Sequence, residues 1–494
     1  MSEKQPIKFV DTTIRDGQQS LWGLGMGQGM MRPIAHRLDR AGFDAIELFT
    51  GAAFKKMVTE LKENPWEMVR RVAAKMPDTP LRVIASRINV FDFDPPQMYP
   101  LFLRCTADTG VSQVRISDPW NDYEGWKKRV AAANDAGLKP IVNLIYSVSP
   151  RHSDEYYAER TKQAASLPVW RLCFKDPGGL LTPERTARLS KIMQENAGGI
   201  PIEFHTHCTT GLGPLCALEA IKTGLNYINC AIPPLSDGPS NPNLFNVAKN
   251  ARALGYETDI DEEILRPITP HFEAIARQEG FPMGRPAPYL EAQYQHQVPG
   301  GMISNLKHQL SLVGLEDRLE EALEETRQVR AELAYPVMVT PLSQFVGSQA
   351  VINVVVGERY KEVTDQIINY ALGRYGREAV EEMDQDIRAK ILDRPRAKQL
   401  ADLEFPDPSI DEMRQKLGGP SLSDEELLLR WLYPTEALDA MRAAGTPPDY
   451  VTEGKPMIRF VAELSGRRDC SRIHVEKPGF LLRMEKGALP AAAE

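Results

Sequence analysis

Asp16, Lys175, His205 and His207 are the residues of this chain whose types and spacing could hold a divalent metal ion. His205 and His207 flank a single threonine in the run IPIEFHTH; if that run is a strand, alternate residues share a face and both imidazoles enter one site. Two imidazoles and the Asp16 carboxylate suit zinc, cobalt or manganese and leave a coordination position open. Lys175 follows the apolar run VWRLCF. A lysine desolvated beside a metal loses its proton readily, and a neutral amine that takes up CO2 becomes a carbamate, which offers an oxygen ligand. Taken singly, a His-x-His on a strand is as often structural, and a strand-end lysine usually just reaches solvent. The coincidence of four such residues carries the metal reading.

These residues need a scaffold that brings distant segments to one end. To about residue 255, short apolar runs of strand length alternate with helix-like stretches. The runs are Ile7–Asp11, Phe43–Phe49, Leu81–Ser86, Val111–Ser117, Pro140–Tyr146, Val169–Phe174, Ile200–His207 and Leu225–Ile232. Such alternation implies β-α-β units and a parallel sheet, and eight units close a (β/α)8 TIM barrel, an α/β fold whose functional residues lie at the C-terminal ends of its strands. Asp16 after the first run, Lys175 after the sixth, and His205 and His207 ending the seventh all obey that rule. Behind the first run, VDTTIRDGQQS adds Arg15 and Gln19, more polar chemistry than a turn at Gly17 requires. Gly42, Gly137 and Gly224 each stop a helix just before a strand.

Beyond about residue 300 the pattern becomes mostly helical, with DRLEEALEETRQVRAELAY and DEELLLRWLYPTEALDAMRAAG the clearest amphipathic stretches. The Pro-rich, charged RPRAKQLADLEFPDPSIDEM reads as an exposed connection. The expected organisation is a catalytic barrel over residues 1–300, a helical domain over 301–465 and a C-terminal tail over 466–494. With 67 acidic and 59 basic residues, the net charge of −8 is spread without long like-charge runs, which argues against a nucleic-acid or anionic-membrane surface. There is no apolar run of spanning length, no signal-peptide pattern and no C-x-x-C pair among the six cysteines. The expectation is a cytoplasmic protein with reduced thiols.

DTTIRDGQQS together with HTH resembles the metal-dependent barrels that include isopropylmalate synthase, hydroxymethylglutaryl-CoA lyase and the biotin-dependent carboxyltransferases. FKDPGGLLTP is similar to the carboxyltransferase version, in which the lysine is a carbamylated metal ligand. QVPGGMISNL and VTPLSQFVGSQAVINVVVGERYK resemble the carboxyltransferase domain of pyruvate carboxylase, the oxaloacetate decarboxylase α chain and, most closely, the transcarboxylase central subunit. The resemblance spans roughly residues 7 to 465. It implies that Asp16, Lys175, His205 and His207 hold the metal and that Arg15 and Gln19 bind the acceptor. It also implies that Thr340 passes a proton between biotin and the acceptor carbon, and that Ser343 and Gln344 seat the biotin ring.

The resemblance fails around the acceptor. Where the family has an aspartate after the second strand, this chain has Lys55 in GAAFK; where it has an arginine after the third, this chain has Ser86, with Arg87 next door. Lys55 and Arg87 are therefore the candidates for re-creating a carboxylate site, or the acceptor is not pyruvate. The nearest match to a biotin-bearing turn, AAKMP, reads as the solvated end of a helix, and no ATP-binding segment is evident. Biotin is then supplied in trans by a separate carrier protein and charged by a biotin carboxylase subunit, and the family implies a homodimer. The competing readings are a biotin-independent carbon–carbon lyase or condensing enzyme of the same barrel group, and a non-catalytic assembly subunit.

Overall fold

The computed structural model describes residues 5–85, 94–298, 306–307, 309–312, 314–339, 342–405, 407–450, 460–461, 464, 471–477 and 480–485. All eight expected strands form. They are β1 (Lys8–Asp11), β2 (Ala45–Thr50), β3 (Leu81–Ile84), β4 (Gln113–Ile116), β5 (Lys139–Ile145), β6 (Arg171–Asp176), β7 (Ile202–Thr206) and β8 (Tyr227–Cys230). Each pairs in parallel with the next, and β1 pairs with β8, closing the barrel. Apart from a few end residues the strands are buried on both faces, as a wall between packed side chains and a ring of helices must be.

Local signals explain the spacing of the units. Asn64, Asp122, Ser153, Thr182 and Asn243 each accept a backbone N–H at a helix start, supplying an oxygen to groups the helix itself leaves unpaired. Gly42, Gly137 and Gly224 take φ of 88°, 75° and 96° at the turn into the next strand, a region that side chains other than glycine rarely enter.

Two apolar cores follow. The first lies between the barrel and its helices and includes Trp66, Phe102, Trp126 and Phe204. The second is built mainly from residues beyond 300, around the helices Leu319–Glu332, Leu342–Val356 and Asp365–Ala371, and Trp120 from the loop after β4 inserts into it, 5.4 Å from the Tyr370 ring. The chain then returns to the barrel: Met413, Leu427, Leu428, Leu429, Leu438 and Met441 belong to the first core.

The stretch read as an exposed connection is mostly exposed, but it carries the helix Pro395–Ala401 and the start of Ile410–Leu417, which bury Ala397, Leu400 and Met413. Its prolines sit where they do little harm, Pro395 opening a helix and Pro408 preceding one. Residues beyond 470 include an antiparallel hairpin of β9 (Arg472–Lys477) and β10 (Phe480–Glu485). Among the described residues no helix is long and apolar enough to cross a membrane.

Phe54, directly before Lys55, is fully buried against Trp66, Phe49 and Phe102, with ring centroids 4.9 to 5.5 Å away. Phe54→Ala should therefore destabilise the fold by about 3–5 kcal/mol in urea unfolding, the cost of a cavity that helices pinned on several sides do not close.

Candidate metal centre

After β1 the backbone winds into a wide turn, Thr13–Gly17, in which the N–H groups of Asp16 and Gly17 both donate to the Thr12 carbonyl. Gly17 has an ordinary helical φ of −57°, so the turn does not need it for conformation. It is needed for space: a Cβ there would lie 2.6 Å from the Leu235 carbonyl oxygen. This close approach brings the loop after β8 against the turn that carries Asp16.

Asp16 Oδ2 lies 3.0 Å from His205 Nε2 and 3.3 Å from His207 Nε2, and the two imidazole nitrogens are 3.3 Å apart. All three residues are buried. His207 Nδ1 is 2.6 Å from the Pro239 carbonyl oxygen, which can only accept, so Nδ1 carries the proton. His205 Nδ1 lies 2.9 Å from Asn229 Oδ1, an oxygen that also accepts from Arg115, and 3.3 Å from Arg115 Nη2; the shorter contact, to an acceptor, places the proton on Nδ1. The Nε2 atoms of both rings and the Asp16 carboxylate thus converge on one point, with Asn241 Nδ2 beside His205 Nε2 at 3.3 Å. Such a point calls for a cation. Separations of 3.0–3.3 Å match the donor–donor edges expected around an ion about 2.0–2.1 Å from each ligand. The donor set therefore fits a divalent metal.

Electrostatics keep the donors in their binding states. Burial alone would raise the Asp16 carboxyl, but Arg15, at 2.9 Å, and then the two imidazoles hold it well below the usual carboxylate range. Burial and the Arg115 guanidinium push His205 down to about 3, so the ring is neutral. Lys175 pairs in register with His205 across β6 and β7. Burial, followed by Arg115, lowers its amine to about 8, within reach of the neutral form that CO2 requires.

Below these residues the barrel interior is ionic. Glu47 on β2 binds Arg15 through Nε at 2.8 Å and also pairs with Arg115. Glu203 on β7 pairs with Arg82 at 2.8 Å and Arg171 at 3.4 Å, and Arg171 continues to Asp44 at 2.7 Å. Although burial would raise Glu47, Arg115, Arg15 and Arg82 outweigh it and hold the carboxyl at about 2. Asp176, next to Lys175, accepts from the N–H groups of Leu180 and Leu181 at 2.9 Å each and from Thr206 Oγ1 at 3.0 Å. It thereby folds the DPGGLL loop onto β7, so closely that a Cβ on Gly179 would meet the His207 carbonyl at 2.8 Å.

The structure thus gathers Arg15, Asp16, Lys175, His205 and His207 at the C-terminal mouth. Two of Arg15's nitrogens are occupied by Glu47 and Asp16. Gln19 is exposed on the short helix Gln18–Trp22, and Lys55 is exposed on Ala53–Lys56. Ser343 is buried and Gln344 half-buried on the helix Leu342–Val356. Arg87 and Thr340 lie outside the described residues. Sequence reasoning missed Glu47, Arg115, Asn229 and Asp176. The first three are polar residues interrupting otherwise apolar strands, a pattern that in a closed barrel signals an occupied interior.

Comparison with known proteins adds independent findings. Residues 6–270 match the HMGL-like family and residues 294–468 the conserved carboxylase domain family. A pyruvate carboxylase subunit of Methanocaldococcus jannaschii is 32% identical over 99% of this chain and 88% of its own length. The 2-oxoglutarate carboxylase large subunit of Hydrogenobacter thermophilus is 31% identical over 88% of this chain and 68% of its own. The carboxyl transferase domain of Rhizobium etli pyruvate carboxylase, solved with oxamate and biotin, superposes with a TM-score of 0.79 over 90% of this chain and 78% of that one, at 24% identity, a likeness of fold.

Two outcomes follow from the charges. Glu47→Gln leaves Arg15 and Arg115 under-compensated in a dry interior and should cost about 3–5 kcal/mol in denaturant unfolding. His205 and His152, both pushed down to about 3 by burial and neighbouring arginines, fold as neutral rings. The unfolded chain binds protons that the folded one refuses, so stability rises with pH over this range and falls as pH drops below the ordinary histidine value of about 6.5, by at most ~1.4 kcal/mol per pH unit for each ring. Asp11, pushed up to about 7 by burial, acts in the opposite direction over the same range, so the histidine contribution is read by difference: between pH 7.5 and 5 the urea midpoint of metal-free His152→Gln should shift less toward instability than that of the wild type.

Proposed function

The chain belongs to the biotin-dependent carboxyltransferase family, and from that premise we propose that it moves a carboxyl group between biotin on a separate carrier and a small 2-oxo acid, at a divalent metal held by Asp16, His205, His207 and a carbamylated Lys175. The observation that carries this reading is the convergence of three potential donor atoms within 3.3 Å of one another, with Lys175 in register beside them. A carbamate on Lys175 would give the donor set two negative charges, matching a divalent ion. When bound, the metal supplies a Lewis acid that stabilises negative charge developing on the acceptor oxygen.

The chain's own residues do the rest. The Arg15 nitrogen not engaged by Glu47 or Asp16 faces the acceptor, with Gln19 one turn further on. The Thr340 hydroxyl, able to donate and accept at once, takes the proton from the acceptor carbon and returns it to the ureido nitrogen of biotin as the carboxyl group changes partner. Ser343 and Gln344, on the helix that begins two residues later, flank the biotin ring. In this reading the barrel does the chemistry on the acceptor, and the helices around the second core present biotin to it.

The acceptor is where this chain departs from the family pattern. The Methanocaldococcus and Hydrogenobacter relatives are a pyruvate and a 2-oxoglutarate carboxylase subunit, and what those names share is a 2-oxo acid. Lys55 replaces a family carboxylate with a cation near the mouth, which favours an acceptor with more negative charge than pyruvate. Lys75, in the stretch nearest to a biotin-bearing turn, is exposed just after the helix Pro65–Ala73, as a plain surface lysine would be. That placement supports biotin arriving on another chain. The biotin-independent lyase and condensing readings do not account for the match of residues 294–468 to a carboxylase family.

The test is metal-loaded protein incubated with oxaloacetate, with and without free biotin, recording pyruvate release. Biotin should stimulate release, and Thr340→Ala should abolish the stimulation while leaving bound metal in place. Asn229→Ala, which frees the His205 ring from its orienting partner, should weaken metal binding about 10- to 100-fold in competition with a chelator. Release that ignores biotin would move the chain to the lyase branch.

A further inference from the structure

The helix Leu319–Glu332 is followed by a turn in which two consecutive non-glycine residues, Ala334 and Tyr335, hold φ of 63° and 56°. Left-handed pairs of this kind persist only where their surroundings impose them. Here the imposing group is Arg330. Its Nε donates to the Pro336 carbonyl at 3.0 Å, directly after the strained pair, while its own carbonyl accepts from the Tyr335 N–H at 2.9 Å. The far side of the same guanidinium grips the barrel: Nη2 donates to Ser147 Oγ at 2.8 Å, and Nη1 and Nη2 each lie 3.2 Å from the Val148 carbonyl oxygen.

Ser147 and Val148 stand immediately above the metal centre's wall. They follow β5, whose Ile145 pairs with Lys175, and the Tyr146 N–H donates to the Lys175 carbonyl at 2.7 Å. Gln297 holds the same two residues, donating to the Val148 carbonyl at 2.7 Å and accepting from the Val148 N–H at 3.4 Å and the Ser147 hydroxyl at 3.3 Å. One buried side chain thus ties the strand beside Lys175 to the backbone four residues before Thr340. Arg330 is 5% exposed; among the described residues its guanidinium hydrogen-bonds only neutral oxygens and lies 5.7 Å from the Tyr335 ring centroid. A cation buried without a counterion is costly, more so than a neutral residue of the same shape.

We propose that Arg330 is a positioning residue for carboxyl transfer: its planar fork registers the backbone at Pro336, and with it Val337–Val339 and the helix that carries Ser343, against the end of β5 beside Lys175. The inference rests on the carboxyltransferase reading and extends it to a residue that touches neither acceptor nor biotin. Val337, Met338, Leu342 and Ser343 are all buried, so the segment has a packed seat once its first residue is fixed. The fork is what matters, because three acceptors on two separate segments are held by one planar group, which a single ammonium does not reproduce.

The experiment uses the full chain loaded with metal, as wild type, Arg330→Met, Arg330→Lys and, as a milder variant certain to keep the guanidinium, Ser147→Ala. Bound metal, hydrogen exchange of amides 337–345 and biotin-stimulated pyruvate release from oxaloacetate are recorded for each. Arg330→Met should keep its metal, speed exchange in 337–345 relative to β1, β6 and β7, and lower the biotin-dependent rate about tenfold to a hundredfold, the scale at which a misplacement of about 1 Å is felt. Arg330→Lys should behave like Arg330→Met, and Ser147→Ala should move the same readouts by less. Wild-type exchange in Arg330→Met, or wild-type turnover in Arg330→Lys, overturns the inference and leaves the carboxyltransferase reading standing. A wild type whose release ignores biotin refutes that reading and this inference together.

Discussion

Glu47 is the charge on which the barrel's interior depends. It lies fully buried between Arg15 and Arg115, with Arg82 3.7 Å away, and these guanidiniums reach it from the turn after β1, from β4 and from β3. A carboxylate in such a place is tolerable only when opposite charge surrounds it, and only a closed sheet brings cations from three directions to one carboxylate. The consequence reaches upward. Arg15, fixed by Glu47, stands beside Asp16 and keeps it ionised; Arg115, fixed by Glu47, shares Asn229 with His205 and keeps that imidazole neutral. The charge states that make a metal site are thus set one layer beneath it.

This arrangement also explains which parts of the molecule were legible in the sequence. The strands could be read because each is an apolar run between helices, and the glycine joins repeat. Their ends could not be read as well. VWRLCF continues through Lys175 and Asp176, because both are paired to β7, so Lys175 is part of the wall and not a residue beyond it. IPIEFHTH stops at Thr206, and His207 turns toward Asp16 because its Nδ1 is tethered to Pro239 on the loop after β8. The two histidines converge through that tether, whereas alternation along a strand would have set them side by side. Gly17 was legible as a special residue, but the reason lies in Leu235, more than two hundred residues away, which no local pattern reveals.

The acceptor residues were the least legible, for a related reason. Arg15 and Asp16 are buried and over-determined by their partners. Gln19 and Lys55 are exposed side chains on helices of five and four residues, Gln18–Trp22 and Ala53–Lys56. Sequence places such residues near the mouth but does not orient them, because nothing packed holds their side chains. What is fixed near Lys55 is its neighbour: Phe54 pins the short helix through its inward face, so that position 55 changes without disturbing the core. The barrel thus holds Asp16, His205 and His207 in a rigid ionic frame, while the residues proposed for the acceptor lie on short pinned elements that can change without disturbing that frame.

The same separation governs the C-terminal region. In the proposed reaction a group carried by another protein enters and leaves, which suits receiving residues on a unit apart from the barrel's packed interior. That unit still has to be held in register with the metal centre. Beside the apolar insertion of Trp120 into the second core, the rim carries polar contacts: Arg151 and Arg160 pair with Glu378, and Gln297 and Arg330 close on the end of β5. Directional bonds fix a position as no apolar face does, because sliding along an apolar surface costs little whereas breaking a buried polar contact leaves an unsatisfied group. The rim is therefore where a change remote from the metal should be felt in the reaction, and β5, through its register with Lys175, is the strand that transmits it.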